Sequence, residues 1–285
     1  MLEYWREHGR RFGDLDYEFD PDGLANVCGP GQPLWLSEHL ARSQRRIFRY
    51  LLGLLPAHAT DAKALDIGTG AGRWAKVVAD AGYTTTGIDL QPKLIADNRA
   101  RFPSLEFHEV SVQEYRSESP FDLIVSVTVL QHIPFEEQTG VVERLRELTC
   151  PGGQVILLEH VLDQSPHVFS RTREGWQALF VKAGFECLAD RPFNYGPAMR
   201  CYSALRARFR SSVWTTTSEE LLKPEDLVAP RQRAARAGAH RLLRAADRAV
   251  LRAAVVLDGA FEPLLVRLRA RRPRPADCGF LFRRA

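Results

Sequence analysis

Between Ala64 and Glu159, short apolar runs alternate with segments of helical spacing, a pattern that predicts βαβ units and a parallel sheet. Strands are expected at Ala64–Ile67, Thr84–Asp89, Leu105–Val110, Phe121–Val127 and Gln154–Glu159, with helices at Arg73–Ala81, Lys93–Arg101 and Phe135–Thr149. Gly82 is placed to stop the first helix, and Pro151–Gly153 cannot continue the third. A helix over Arg171–Ala183 puts Trp176, Leu179, Phe180 and Ala183 on one face and ends at Gly184, after which "FECLADRPF" reads as a sixth strand. The terminal "CGFLFRR" is apolar and β-prone. It is expected to return as the last strand of the same sheet, which makes Tyr195–Ala276 an insertion and not a tail.

Upstream, Leu36, Leu40, Ile47, Leu51, Leu54 and Leu55 recur at helical spacing and predict an amphipathic cap helix, preceded by a Gly-, Pro- and Asp-rich loop. The expected organisation is therefore a lid and cap over 1–61, a core over 62–194, a helical insertion over 195–276 and a last core strand over 277–285.

Composition adds limits. The chain is 45% hydrophobic and 26% charged over 285 residues, which suits a globular protein with a sizeable core. No apolar run is long enough to span a bilayer and the first twenty residues are charged where a signal peptide is apolar, so a cytoplasmic protein with no membrane partner is expected. The five scattered cysteines form no C-x-x-C pair, so neither a disulfide framework nor a metal site is expected. The basic surplus lies between Arg231 and Arg274, where Arg236, His240, Arg244, Arg248 and Arg252 recur every four residues. This reads as a solvated helix face, or as an attractor for an anionic partner. Nothing in the pattern specifies an oligomeric state.

"ALDIGTGAGRW" at 64–74 joins a buried strand to a glycine loop, where a backbone without Cβ atoms can approach a ligand and the next helix offers free N–H groups. Gly68, Gly70 and Gly72 form G-x-G-x-G. A dinucleotide turn would need glycine at position 73 and finds Arg73, which argues against a nicotinamide oxidoreductase.

With "LDIGTGAG", "GIDL" at 87–90, "PFDLIVSVTVLQHI" at 120–133 and "LRELTCPGGQVILLEH" at 145–160 in that order, the chain resembles the class I S-adenosylmethionine-dependent methyltransferases over about Ala64–His160. The resemblance implies an α/β, Rossmann-like, doubly wound sheet of seven mostly parallel strands with helices on both faces, here with the N-terminal cap and the insertion before the last strand. It implies S-adenosylmethionine as cofactor and S-adenosylhomocysteine as product. The methionine end would lie against Gly68, Thr69, Gly70 and Gly72, with Asp66 orienting its amino group. Asp89 would accept from both ribose hydroxyls, as a carboxylate suits a vicinal diol, with Leu90 beside it. Ser111 stands where many relatives have an acid for the adenine amine. Ser111 and Val112 are the expected contacts there, Gln113 a substitute, and Thr128 lies at the exit of the fourth strand.

The implied chemistry is SN2 transfer of a methyl group to a small molecule, most readily to oxygen, with nitrogen or carbon as alternative acceptors and a catalytically inactive binding protein as the reading from another class. His132, just beyond the fourth strand, is the candidate general base, because ligands of open α/β sheets sit outside the strands' carboxyl ends. Glu159 and His160 at the end of the fifth strand are candidates for a second acid/base pair or for holding the acceptor. Tyr4, Trp5 and His8, with Tyr17 and Phe19, are candidates for a lid, and Tyr195, Arg200 and Tyr202 for contacts with the acceptor. Nucleic acid is disfavoured as substrate, because "SVTVLQHI" replaces the Asn/Asp-Pro-Pro-aromatic exit of base-modifying relatives and no basic patch interleaved with aromatics is evident.

Overall fold

The computed structural model of the chain describes residues 34–161, 164–165, 168–198, 201, 237–268 and 274–285. Tyr4, Trp5, His8, Tyr17, Phe19, Arg200, Tyr202 and Arg236 lie outside them.

Helix α1 (Leu34–Leu52) leads into β1 (Lys63–Ile67), α2 (Arg73–Asp80), β2 (Thr84–Asp89), α3 (Pro92–Arg101), β3 (Glu106–Glu109) and β4 (Phe121–Val127). A 3₁₀ turn at Leu130–His132, α4 (Phe135–Leu148) and β5 (Thr149–His160) follow, then the short hairpin β6 (Gln164–Ser165) and β7 (Val168–Phe169). The chain closes with α5 (Arg173–Lys182), β8 (Phe185–Phe193), the long α6 (Ala237–Arg267) and β9 (Asp277–Arg284).

Seven strands form one sheet in the order β3-β2-β1-β4-β5-β9-β8. β1 to β5 are mutually parallel, whereas β9 runs antiparallel to both of its neighbours, β5 and β8. All strands except β9 therefore end at one edge, and β9 begins there. The terminal apolar run is a central strand, with Phe280, Leu281 and Phe282 fully or almost fully buried. Removing the residues after Pro275 would break two ladders and strip this core. The shortened chain is expected to lose its cooperative thermal transition, monitored by circular dichroism; a truncated chain that melts like the full one would contradict the placement.

The structure moves the start of the fifth strand from Gln154 to Thr149. Thr149 was expected to end a helix but begins β5, opposite Phe121, with a register irregularity before Leu123 and Gln154 pair. Its hydroxyl donates to the Leu145 carbonyl, which caps α4 and lets the Pro-Gly-Gly turn be absorbed into the strand's start.

On α1, Ile47, Phe48 and Leu51 are buried against the sheet and Arg42 and Arg49 are exposed, whereas Leu54 and Leu55, expected on the apolar face, lie beyond the helix and Leu54 is exposed. Gly279 on β9 makes this approach feasible. A Cβ there would sit 2.6 Å from Ile47 Cγ2 and 3.0 Å from Leu51 Cδ1. The opposite face carries the larger core, in which Trp176, Phe180, Phe280 and Phe282 pack with α4 and α5, Phe180 and Phe282 stacked with ring centres 4.2 Å apart.

Helix α6 packs on α1 and β8 through Ala254 and Val255. Polar ties reinforce this: Glu262 accepts from the Ser43 hydroxyl, from the Asn194 N–H at 2.5 Å and pairs with Arg46 at 3.1 Å, while Asp258 accepts from the Ala198 N–H at 2.8 Å.

Candidate functional site

The carboxyl ends of β1, β2, β4 and β5 converge on one edge, and each contributes a short loop. The glycine loop after β1 is held in a conformation ordinary residues avoid: Gly68, Gly70 and Gly72 have φ of 61°, 53° and 73°. At Gly68 space matters as well, because a Cβ would fall 2.5 Å from Val129 Cγ2 on the loop after β4. The glycine therefore lets two strand exits touch.

Two carboxylates brace this loop. Asp66, fully buried, accepts through Oδ2 from the Thr69 hydroxyl at 2.6 Å and the Ala75 N–H at 2.9 Å; its Oδ1 is buried without a hydrogen-bond partner among the described residues. Burial pushes its pKa up to about 7, with Thr69 and Ala75 pulling the other way and Asp89 adding to the rise. Asp89, at the end of β2, accepts from the Gly70 N–H at 2.8 Å through Oδ2 and from the Gln91 N–H at 3.0 Å through Oδ1. Burial raises its pKa too, against these backbone donors. The Leu90 N–H is a third backbone donor to this carboxylate, whose roughly four acceptor sites exceed these three bonds.

A third brace was not expected from the sequence. Asn98 on α3 is fully buried and donates from Nδ2 to the Gly70 carbonyl at 2.7 Å. Its position three residues after the buried Ile95, on the inward face of a short helix, is the signal that marks it.

Beyond β3, the Ser111 hydroxyl donates to Glu114 at 2.8 Å and accepts the Glu114 N–H at 3.2 Å, so its bonds are made locally. Val112 is buried beside it. Leu90 follows Asp89 on the partly buried rim.

The exit of β4 is strained and then tied down. Thr128 has φ of 57°, a left-handed conformation costly for a β-branched residue. Its N–H donates to Leu158 at 2.8 Å and its hydroxyl to Val127 at 2.7 Å. Glu159, fully buried at the end of β5, then accepts from three successive backbone N–H groups: Val129 at 3.1 Å, Leu130 at 2.9 Å and Gln131 at 3.2 Å. Burial pushes the Glu159 carboxyl up to about 8, with the three N–H groups and nearby His160 pulling it down. Gln131 returns the connection, its Oε1 accepting the His160 N–H at 2.9 Å. His132, half-buried, ends the 3₁₀ turn with Nε2 facing the Gln131 Nε2 at 3.4 Å. An amide nitrogen only donates, so the imidazole nitrogen facing it carries its lone pair.

His160 is turned sideways: its Nδ1 pairs with Asp277 at the start of β9, which also accepts from Asn194 Nδ2 at 2.7 Å. Tyr195, just after β8, is fully buried at the same edge. Asp277, Gln131 and Asn194 are further residues of this edge that sequence reasoning missed, since their partners lie far away in the chain. Among the expected site residues, the structure brings Asp66, Gly68, Thr69, Gly70, Gly72, Asp89 and Leu90 onto one wall. Thr128, His132, Glu159, His160 and Tyr195 lie on the neighbouring strand ends.

Residues 38–191 match the model of a family described as a methyltransferase domain. Ubiquinone biosynthesis O-methyltransferases of Paracidovorax citrulli and Aromatoleum aromaticum are 32% and 31% identical over 161 and 160 residues, covering 54% of this chain in each case and 58% and 59% of those proteins. The chain thus spans less than two thirds of these curated relatives. In fold, it is similar to the cyclopropane synthase of Mycobacterium tuberculosis, with a TM-score of 0.57 at 15% identity over 99% of this chain and 98% of that one. It is also similar to a magnesium protoporphyrin IX methyltransferase from Synechocystis with bound SAH, with a TM-score of 0.50 at 15% identity over 66% and 89% of the two chains.

Proposed function

The chain belongs to the methyltransferase domain family, and from that premise we propose that it transfers a methyl group from S-adenosylmethionine to a hydroxyl of a small molecule. The observation that carries this reading is the bond from the Gly70 N–H to the Asp89 carboxylate. It sets a diol acceptor and three left-handed glycines on the same wall. The buried Asp66 Oδ1 suits a cationic amino group, and the glycine loop leaves the backbone open to close approach. When bound, the cofactor supplies a methyl group already activated on a sulfonium. The names of the curated relatives, O-methyltransferases of ubiquinone biosynthesis, support an oxygen acceptor.

The protein's part is mostly alignment, which can lower a barrier by on the order of 7–11 kcal/mol when reacting groups are held in line. Asp66, Asn98 and Asp89 fix the glycine loop. Glu159 and Gln131 fix the loop after β4, so that His132 is presented by a rigid turn. His132 Nε2 exchanges its long contact with the Gln131 amide for the acceptor hydroxyl and takes that proton, and His160, oriented by Asp277, helps to hold the acceptor. Tyr195 lies beneath that same side.

Steady-state kinetics of His132→Ala beside titration with S-adenosylhomocysteine tests this assignment. Turnover should fall roughly 10²- to 10⁴-fold, the usual worth of a placed base, with affinity for the product cofactor unchanged. Unchanged turnover removes His132 from the mechanism.

A further inference from the structure

Helix α6 is polarised in a way that neither its packing nor the methyl-transfer site explains. Its inward face carries Ala254, Val255, Asp258 and Glu262, all buried, and both acids are consumed by the internal ties to Ala198, Asn194, Ser43 and Arg46. Adjacent to this face runs a second apolar stripe. Val250, Leu257, Phe261, Leu264 and Leu268 are each at least half exposed. At 3.6 residues per turn they fall within a sector about 60° wide and extend roughly 27 Å along the helix. Leu268 continues the helical path, its N–H donating to Leu264 at 2.9 Å.

Among the described side chains of α6, arginines supply the remaining exposed charge. Arg252, Arg267 and Arg274 are exposed, and the sequence from Arg231 to Arg274 holds twelve arginines against three acids, two of which are the inward Asp258 and Glu262. A long apolar stripe flanked by Arg267, with Arg252 on the opposite polar face and Asp258 and Glu262 turned inward, has the composition of a helix that lies in the plane of a membrane surface. Among the described residues, no helix is long and apolar enough to cross a bilayer, so the contact is with the surface. A second copy of the chain fits the charge less well, because pairing two such helices in either direction brings arginine-rich ends against each other.

We propose that α6 docks this protein on an anionic phospholipid surface, with Val250, Leu257, Phe261, Leu264 and Leu268 entering the headgroup region and Arg267, beside the stripe, contacting lipid phosphates. This departs from the sequence expectation of no membrane partner, which rested on the lack of a spanning run.

Flotation of the full chain with vesicles of phosphatidylcholine alone, or of equal parts phosphatidylcholine and phosphatidylglycerol, tests the proposal. The protein should float with the mixed vesicles and not with the neutral ones, and high salt should weaken the association. Phe261→Glu should lower partitioning at least tenfold. Arg267→Glu should lower it on the order of fivefold, the worth of one basic residue at an anionic surface. All these positions are exposed, so circular dichroism and binding of S-adenosylhomocysteine should match the wild type. The proposal fails if the wild type does not float, or if it floats and neither variant changes this. It also fails if the wild type sediments as a dimer that Phe261→Glu separates without any vesicle binding, which would give the stripe to a second copy.

Discussion

Glu159→Ala is expected to reduce turnover at least a hundredfold and to destabilise the protein by on the order of 3 kcal/mol, although Glu159 need not touch either reactant. The substitution leaves the N–H groups of Val129, Leu130 and Gln131 without their acceptor, and buried donors without partners cost about 1–3 kcal/mol each before the loop relaxes. Once it relaxes, the rigid presentation of His132 is gone. Glu159→Gln separates the two effects. Its side-chain carbonyl can still accept from Val129 and Leu130, so the fold should survive while turnover falls by a smaller factor.

The pH dependence of stability supplies a second readout. In the folded protein the Glu159 carboxyl is raised from its ordinary 4.5 to about 8, so the folded state holds this proton more tightly than the unfolded chain. Its contribution is therefore fully present below pH 4.5 and is lost as pH rises through 8. Asp66, raised to about 7, acts in the same direction over a slightly lower window. Urea titrations across pH 5 to 8 should show a decline in wild-type stability that is shallower in Glu159→Gln. Identical slopes would contradict the assignment.

Asp89→Ala is expected to weaken binding of S-adenosylhomocysteine by on the order of a hundred- to a thousandfold. Two effects combine there. The substitution removes a carboxylate matched to a diol, and it releases the Gly70 and Gln91 N–H groups that the carboxylate now holds. Hydrogen bonds to a charged group are worth roughly 1.5–3 kcal/mol each, and the loss of two near the lower end of that range gives an effect of this size. Because Asp89 lies on the β1–β2 side and His132 on the β4 side, the two variants should divide cleanly. Asp89→Ala changes affinity for the cofactor, whereas His132→Ala changes turnover. Equal affinity of Asp89→Ala and wild type in a calorimetric titration would move the ribose elsewhere.

The parts of the site that were legible in the sequence are those made locally. Gly68, Gly70 and Gly72 stand in the chain at the spacing they need in space, and Asp89 announces itself as an acid closing an apolar strand. The parts that were hidden depend on partners brought together by the sheet. Glu159 also ends an apolar run, but only the β4–β5 pairing shows that its carboxyl closes over a loop thirty residues away. Asp277 meets His160 because β9 enters between β5 and β8, a strand order that periodicity does not encode. Thr149 shows the same limit at a boundary: its helical neighbours favoured continuation, and pairing with Phe121 decided otherwise. Glu262 and Asp258 carry no sequence signal that sets them apart, and only the packing of α6 shows that they face inward.

The measurement that reaches the central claim most directly is a calorimetric titration of the wild-type chain with S-adenosylhomocysteine and, separately, with NADH. Saturable binding of S-adenosylhomocysteine and none of NADH is the expected result. Binding of NADH, or no binding of S-adenosylhomocysteine at millimolar concentration, would contradict the reading of the Gly68–Gly72 loop as the seat of a methyl donor.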